Sequence, residues 1–377
     1  MPTWDVHFDC RLNTEDYEIV SNVAKAHALA DVIRGIPLPP GVQRHIDSLN
    51  ILRAVRGTTG IEGTELSETE VDQIISTPPK EHVLSQARQR AEQEARNANE
   101  VMIFVAKTLQ KDPAYPVTED LIRTIHRLTT QGVDYPANEP GVYRNHPVHA
   151  GTYSPPRTGE QVRRLTAQFV EWLNHGPPRG WEAPIRAIAG HFYLVSIHPF
   201  GDGNGRTARG LESFLLYQGG INARGFYSLA NYYYQNRAEY EAMLDEVRFR
   251  TNGDITPFIK FALRGLVAEQ EAVHQEILAE VTVIAFRDFA REALTNDGKM
   301  GTKPGERMFH FLLQLAGNSV SITQLRKGGH PLSELYHGVT AKTITRDLNY
   351  LRSRGLVRII DKDTIQANIE VMTHFMA

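Results

Sequence analysis

The sequence predicts a mainly α-helical protein with a small α/β unit at its C-terminal end. Three observations predict it. Apolar residues recur at three- and four-residue steps through most of the chain from Glu15 to Leu294. Breaks rich in Pro and Gly separate those stretches. Beyond Gly301 helical spacing gives way, near the end, to two short runs of Val and Ile.

Each element follows in order. Glu15 to Arg34 and Gly41 to Arg56 read as two helices parted by Pro37-Leu38-Pro39-Pro40, because proline removes a donor and clashes with the preceding turn. Further helices are expected over Gln86 to Gln110, Glu119 to Thr130 and Glu160 to His175. Between Gly141 and Pro156 the pattern changes. Val142, Tyr143, Val148 and Tyr153 stand among Gly, Pro and His, which suits a short extended hairpin. From Pro184, residues Ile185, Ile188, Ala189, Phe192, Val195 and Ser196 mark one apolar stripe, with proline tolerated in the first turn. That pattern stops at His198-Pro199, resumes at Asn204 with Leu211, Phe214 and Leu215, and ends at Gly219-Gly220. A long helix spans Pro257 to about Leu294, followed by a linker through Asn296-Asp297-Gly298 and Gly301 to Gly305. The division is an N-terminal helical region over 1–100, a helical core with trailing helices over 101–297, and a separate unit over 303–377. No internal repeat or low-complexity segment is visible.

Composition narrows the function classes. A net charge of -3 on 377 residues argues against a chain that coats nucleic acid, which needs a strongly cationic surface. One cysteine, Cys10, excludes an internal disulfide and a multi-cysteine zinc site. No apolar run reaches the roughly 20 residues of a membrane span. The start, Met1-Pro2-Thr3-Trp4-Asp5, shows no basic-then-apolar leader. A soluble protein of a reducing, cytoplasmic compartment is expected, with no membrane partner.

One segment carries chemistry. Residues His198 to Arg209 read HPFGDGNGRTAR and join two helices. Gly201, Gly203 and Gly205 let backbone amides approach an anion closely. The helix beginning near Asn204 points unpaired N–H groups and its positive dipole end at the same spot. Arg206 and Arg209, three apart on its first turns, can grip phosphate oxygens. Asp202 is the sole carboxylate in the loop and suits Mg²⁺ beside phosphates. His198 offers a neutral base at physiological pH. A base, a metal anchor and an anion cradle together describe phosphoryl or nucleotidyl transfer. Gly203, Gly205 and Ala208 also fit a dinucleotide fingerprint, but that motif follows a strand and this one follows a helix. A P-loop would need Gly-Lys-Ser/Thr, which is missing.

HPFGDGNGRTAR resembles the Fic-family signature, His-x-Phe-x-Asp/Glu-Gly-Asn-Gly-Arg-x-x-Arg, with every fixed position filled; the likeness extends over roughly Asp47 to Arg264. The resemblance implies a helical Fic core that transfers AMP from ATP to a Ser, Thr or Tyr hydroxyl of a protein. His198 would be the base. Asp202 would hold Mg²⁺ on the α- and β-phosphates. Amides of Gly203 to Gly205 and the Asn204 side chain would cradle those phosphates, with Arg206 on the β- and Arg209 on the γ-phosphate. Phe200 would be a buried anchor. In a kinase branch of the family lysine replaces the second glycine; Gly205 is intact here, which favours AMP transfer, although the motif leaves other nucleotide donors open.

Upstream, Thr58-Thr59-Gly60-Ile61-Glu62-Gly63 resembles the family's inhibitory pattern, Ser/Thr-x-x-x-Glu-Gly/Asn. It implies that Glu62 pairs with Arg209 and keeps the γ-phosphate from it, in the class with an N-terminal inhibitory helix. Residues 141–156 resemble the family's flap, which registers a target peptide. Tyr233, Asn236 and Tyr240 fall in the region that contacts adenine and ribose. Homodimerisation is common in this class. Residues Pro304 to Phe375 resemble a winged helix-turn-helix: Thr340 caps a helix with Ile344, Leu348 and Leu351 on its apolar side, and Val357 to Ile360 and Ile365 to Val371 form the wing. From Gly301 onward 10 Lys and Arg face 6 Asp and Glu, a balance of +4 that keeps DNA as well as protein in view as its partner. Besides AMP transfer two functions stay open: removal of AMP by the same site, and nucleotide-sensing DNA binding.

Overall fold

The computed structural model describes residues 4–77, 86–222, 229–251 and 253–375. Part of the N-terminal stretch read as leaderless, Met1–Thr3, lies outside that range. Two compact units divide the chain at His274 and Gln275.

Four helices of the first unit start where a side chain satisfies otherwise unpaired amides. Asp16 accepts from Glu18 and Ile19 to open α1 (Tyr17–Gly35), and Pro40 opens α2 (Pro40–Gly60) after the proline break. Ser67 and Glu70 form a reciprocal cap on α3 (Glu68–Ser76), a helix the periodicity did not reveal. Next come α4 (Gln86–Lys111), α5 (Glu119–Thr130) capped by Thr118, and α6 (Gly159–His175) capped by Thr158 with Gln161. Centrally placed are α7 (Ala183–Ile197) and α8 (Asn204–Gln218), then α9 (Leu229–Gln235), α10 (Arg237–Phe249) and α11 (Thr256–Asn296).

The expected stripe on α7 is in fact a helix buried at every position from Pro184 to Ile197 except Arg186. Such a helix sits inside a layer of others, where no polar face is needed. The expected N-terminal region over 1–100 is not a separate body: Ile19, Val23, Ala26 and Ile61 bury in the same core as Phe192, Phe214 and Phe258. The flap at 141–156 also differs from expectation. Its arms form no ladder; a tight turn pairs Ala150 with Tyr153 through both amides, at 3.1 and 3.0 Å. Pro147, Pro155 and Pro156 remove donors that a hairpin would need.

In the second unit Phe286, Ala290 and Leu294 of α11 bury with Phe311 and Leu312 of α12 (Lys303–Leu315). The linker expected near 297–303 therefore lies within this unit rather than at its edge. The unit continues with α13 (Ile322–Lys327) and α14 (Ala341–Ser353). Its sheet has the order β1 (Ser319–Ser321), β3 (Thr364–Ala367), β2 (Val357–Ile359), all antiparallel. The expected second wing strand stops at Ala367, because Ile369–Phe375 turn into a 3₁₀ helix, and β1 had no signal in the spacing.

Asp347 on α14 is buried and accepts from Arg307 Nε at 3.0 Å and Nη2 at 2.6 Å. Removing one partner of such a pair strands the other charge, so Asp347→Ala should lower stability by about 3 kcal/mol. A urea midpoint equal to wild type would contradict this. Among the described residues no helix is long and apolar enough to cross a membrane.

Candidate active site

The loop between α7 and α8 owes its shape to strain held by neighbours. His198 ends α7 with φ 53° and ψ 59°, a left-handed conformation that costs a non-glycine residue energy. Its amide still donates to the Leu194 carbonyl at 3.0 Å. Its carbonyl accepts from Arg144 Nε at 2.7 Å, while Arg144 Nη1 and Nη2 donate to the carbonyls of His146 and Pro156 at 2.8 and 2.7 Å. The Arg144 amide adds a bond to the Pro199 carbonyl at 3.0 Å. One buried guanidinium thus ties the flap to the end of α7.

Past His198 the loop closes on itself. Phe200 is fully buried, its amide donating to Asn204 Oδ1 at 2.8 Å and its carbonyl accepting from Asn204 Nδ2 at 3.0 Å. Both ends of the Asn204 side-chain amide thus hold the turn. Gly203 has φ 72°, and a Cβ there would come within 2.6 Å of Thr130 Cγ2. At Gly201 a Cβ would come within 2.3 Å of the Ala137 carbonyl. Both positions require glycine.

His198 presents its imidazole to a cleft. Its Nδ1 lies 3.1 Å from the Val195 carbonyl, an acceptor, so the proton sits on Nδ1 and Nε2 is bare. Burial, reinforced by Arg144 and Arg248 and opposed by the Val195 bond, brings its pKa down to about 4. Nearby, Arg209 Nη2 donates to Glu62 Oε1 at 2.7 Å; its Nε and Nη2 also reach Thr58 Oγ1 and the Thr58 carbonyl at 2.9 and 3.0 Å. Glu62 stands two residues past Gly60, the last residue of α2. Burial pushes its carboxyl upward, but Arg209 and Arg206 outweigh that and hold it below the usual range. His198, Gly205, Arg209, Glu62, Tyr240 and Arg248 line one cleft of about 420 Å³.

Glu62 also lines a second cavity of about 580 Å³, together with Asp202, Arg206, Arg90 and Glu94. Arg206 is enclosed there: Nη1 donates to Tyr135 Oη at 2.5 Å and lies 3.3 Å from Glu94 Oε1, and Nη2 lies 3.1 Å from Asp202 Oδ1. Glu94 accepts from Thr64, Tyr135 and Arg90 at 2.6, 2.6 and 3.0 Å. Within the chain Arg206 therefore meets two carboxylates and a phenol. Asp202 Oδ1 further accepts from the Gly203 amide.

The three nucleoside candidates part ways. Tyr240 lines the cleft, its hydroxyl 2.9 Å from His191 Nε2. Tyr233 is fully buried, donates to Glu212 at 2.9 Å and stacks on Tyr240 at 4.6 Å, so it is a core residue behind the cleft. Asn236 precedes α10 and donates to the Tyr232 carbonyl at 3.0 Å. Glu94, Thr64 and Tyr135 escaped sequence reasoning, since they come from scattered segments with no motif. Arg144 was visible in the flap without a role.

Residues 116–216 match the Fic/DOC family model. The protein adenylyltransferase Fic of Culex quinquefasciatus is 31% identical over 205 residues, 54% of this chain and 38% of that protein. Its namesake from Nematostella vectensis is 34% identical over 167 residues, 44% of this chain and 36% of that protein. The chain thus spans about two fifths of the length of these relatives. Fic-1 from C. elegans superposes with TM-score 0.56 at 24% identity, covering 70% of this chain and 73% of the other. A Fic family protein from Desulfovibrio desulfuricans G20 covers 97% of this chain and 98% of its own, with TM-score 0.52 and 18% identity. The matched span contains the signature loop between α7 and α8: residues 116–216 of this chain are a Fic domain.

Proposed function

We propose that this chain transfers AMP from ATP to a Ser, Thr or Tyr hydroxyl of a protein and restrains itself through Glu62. One observation carries the reading: a bare His198 Nε2 and a Glu62-held Arg209 line the same cleft. Nε2 takes the proton from the hydroxyl, whose oxygen forms a bond to the α-phosphorus. The bond from that phosphorus to the bridging oxygen breaks, and pyrophosphate leaves with the electron pair. Amides at the start of α8 meet the developing negative charge. The flap at 141–156 would present the target.

Asp202 fits Mg²⁺, since Oδ1 is engaged and its side chain is 40% exposed. Bound there, the ion would neutralise phosphate charge. Among the described residues no group of three His, Cys, Asp or Glu could hold a metal, so substrate phosphate oxygens and waters would complete its shell.

The test is intact-mass measurement of wild type, Glu62→Gly and Glu62→Gly/His198→Ala after incubation with Mg·ATP, alone and with cell lysate. AMP adducts on the single variant, absent from the double, support the reading. Nucleotide that never ends up on protein in either setting sinks it. Losing one charge-assisted bond to Arg209 should raise the rate about 10- to 100-fold.

The pH dependence follows from His198. Its folded pKa is depressed, so the neutral ring is favoured above the ordinary 6.5 and lost only as pH falls toward about 4. Removing Glu62 takes away a neighbour that raises it. Transfer by Glu62→Gly should stay level from about pH 8 to about 5. A half-fall near pH 6.5 would contradict the assignment.

A second reading, removal of AMP, has one observation of its own: Glu62 places an ionised carboxylate in the cleft that His198 lines. There it would orient a water. Hydrolysis of an AMP-modified protein that disappears in Glu62→Gly supports removal; hydrolysis unchanged by the substitution refutes it.

A further inference from the structure

The geometry points to His126 as a positioning residue that locks the flap to the signature loop, one ring nitrogen for each. His126 lies on α5, is fully buried, and stacks on Phe200 with centroids 3.6 Å apart and planes 2° from parallel. The Gly141 amide, a donor, is 2.8 Å from Nδ1, which must therefore be the acceptor. The Asp202 carbonyl, an acceptor, is 3.0 Å from Nε2, which must therefore carry the proton. Both bonds are made by a single tautomer of the neutral ring. Gly141 opens the flap, and Asp202 stands in the middle of the signature loop.

A second strap runs beside the first. Asn138, three residues before Gly141, accepts from the Asp202 amide through Oδ1 at 3.0 Å. The Asp202 amide is thus tied directly to the segment that leads into the flap, and its carbonyl through His126. Displacing Gly141 pulls on the same ring that fixes the Asp202 carbonyl. His126 is in this way the link through which occupation of the flap and occupation of the phosphate cradle are felt at each other's site. This rests on the reading that residues 198–209 hold nucleotide and 141–156 hold target.

Two substitutions divide the ring's duties. An asparagine Oδ1 falls near the place of Nδ1, and a glutamine Nε2 near the place of the histidine Nε2. Each is made in full-length Glu62→Gly protein. His126→Gln should release the Gly141 amide, raising its hydrogen-exchange rate about tenfold, and leave the calorimetric Kd for Mg·ATP within about twofold. His126→Asn should keep Gly141 protected and weaken Mg·ATP about tenfold. Equal losses of both properties in both variants, or no change in either, overturn the inference. Should the variants fold poorly, nitrogen NMR of the wild-type imidazole decides it: a proton on Nε2 and a hydrogen-bonded Nδ1 are required, and the opposite tautomer refutes the link. Failure of the Glu62→Gly parent to bind Mg·ATP would count against the functional reading instead, while Gly141 exchange and the tautomer still judge the brace.

Discussion

Replacing Arg144 by methionine is expected to cut the rate of AMP transfer by about two orders of magnitude while leaving the affinity for ATP nearly unchanged. The guanidinium is buried and donates to three carbonyls, those of His198, His146 and Pro156. Burial lowers its pKa only to about 10, so it remains a cation. Methionine fills similar space but supplies no donor. Three carbonyls then lose their partners, at about 1–3 kcal/mol for each left buried. The backbone at His198 is the part least able to absorb this, because its left-handed conformation persists only while neighbours enforce it. A shift of the base by about 1 Å is enough for a hundredfold loss. The phosphate cradle at the start of α8 is held by other bonds, so Kd for ATP should hardly move. Lysine should not restore the rate, as one ammonium cannot reach three divergent carbonyls. A parental kcat in Arg144→Met, measured in the Glu62→Gly background, would show that the clasp is dispensable.

Glu94→Ala should be the most destabilising substitution around the site, at about 3–5 kcal/mol. Burial pushes the Glu94 carboxyl up, yet Arg206 and the bonds from Thr64, Tyr135 and Arg90 hold it below the usual range. Its contribution is therefore present above the ordinary carboxylate pKa and fades as pH falls through the folded value. Without it Arg206 stays buried with only Asp202 beside it as a counter-charge in direct contact. Denaturant unfolding measures that cost. Thr64→Val separates a second duty. Thr64 stands two residues after Glu62 and donates to Glu94 Oε2 at 2.6 Å, tethering the segment that carries the brake. Cutting this bond alone should raise basal transfer several-fold, about what one hydrogen bond of 1 kcal/mol controls. A basal rate identical to wild type would mean that Glu62 holds Arg209 without the tether.

The signature loop was legible because it is local: twelve consecutive residues, His198 to Arg209, bring the histidine, the glycines and the arginines together by chain adjacency. Glu62 was legible through a second short pattern. The supports were not. The pairs His126–Asp202, Arg144–His198 and Glu94–Tyr135 act across separations of 41 to 76 residues, which no spacing within a helix encodes. Helix positions were readable wherever apolar periodicity was long, as in α5 and α6. The periodic signal failed at α3, nine residues long and made chiefly by its cap. It also gave α7 the wrong surroundings, since a helix enclosed on all sides and one exposed along a face can carry the same apolar recurrence. Asn204 shows a different limit. The signature names the residue, but only the turn it closes shows where its amide is used.

The left-handed backbone at His198 also bears on the choice of inactive control. In most helical positions alanine is more stable than glycine by about 0.5–1 kcal/mol. At φ 53° that ranking inverts, because a Cβ carries the strain and glycine does not. His198→Gly should therefore unfold at higher denaturant than His198→Ala, although both lack the ring. Of the two variants without the ring, the glycine variant leaves the loop relaxed in its native path, and it is the cleaner bait for trapping an unmodified target.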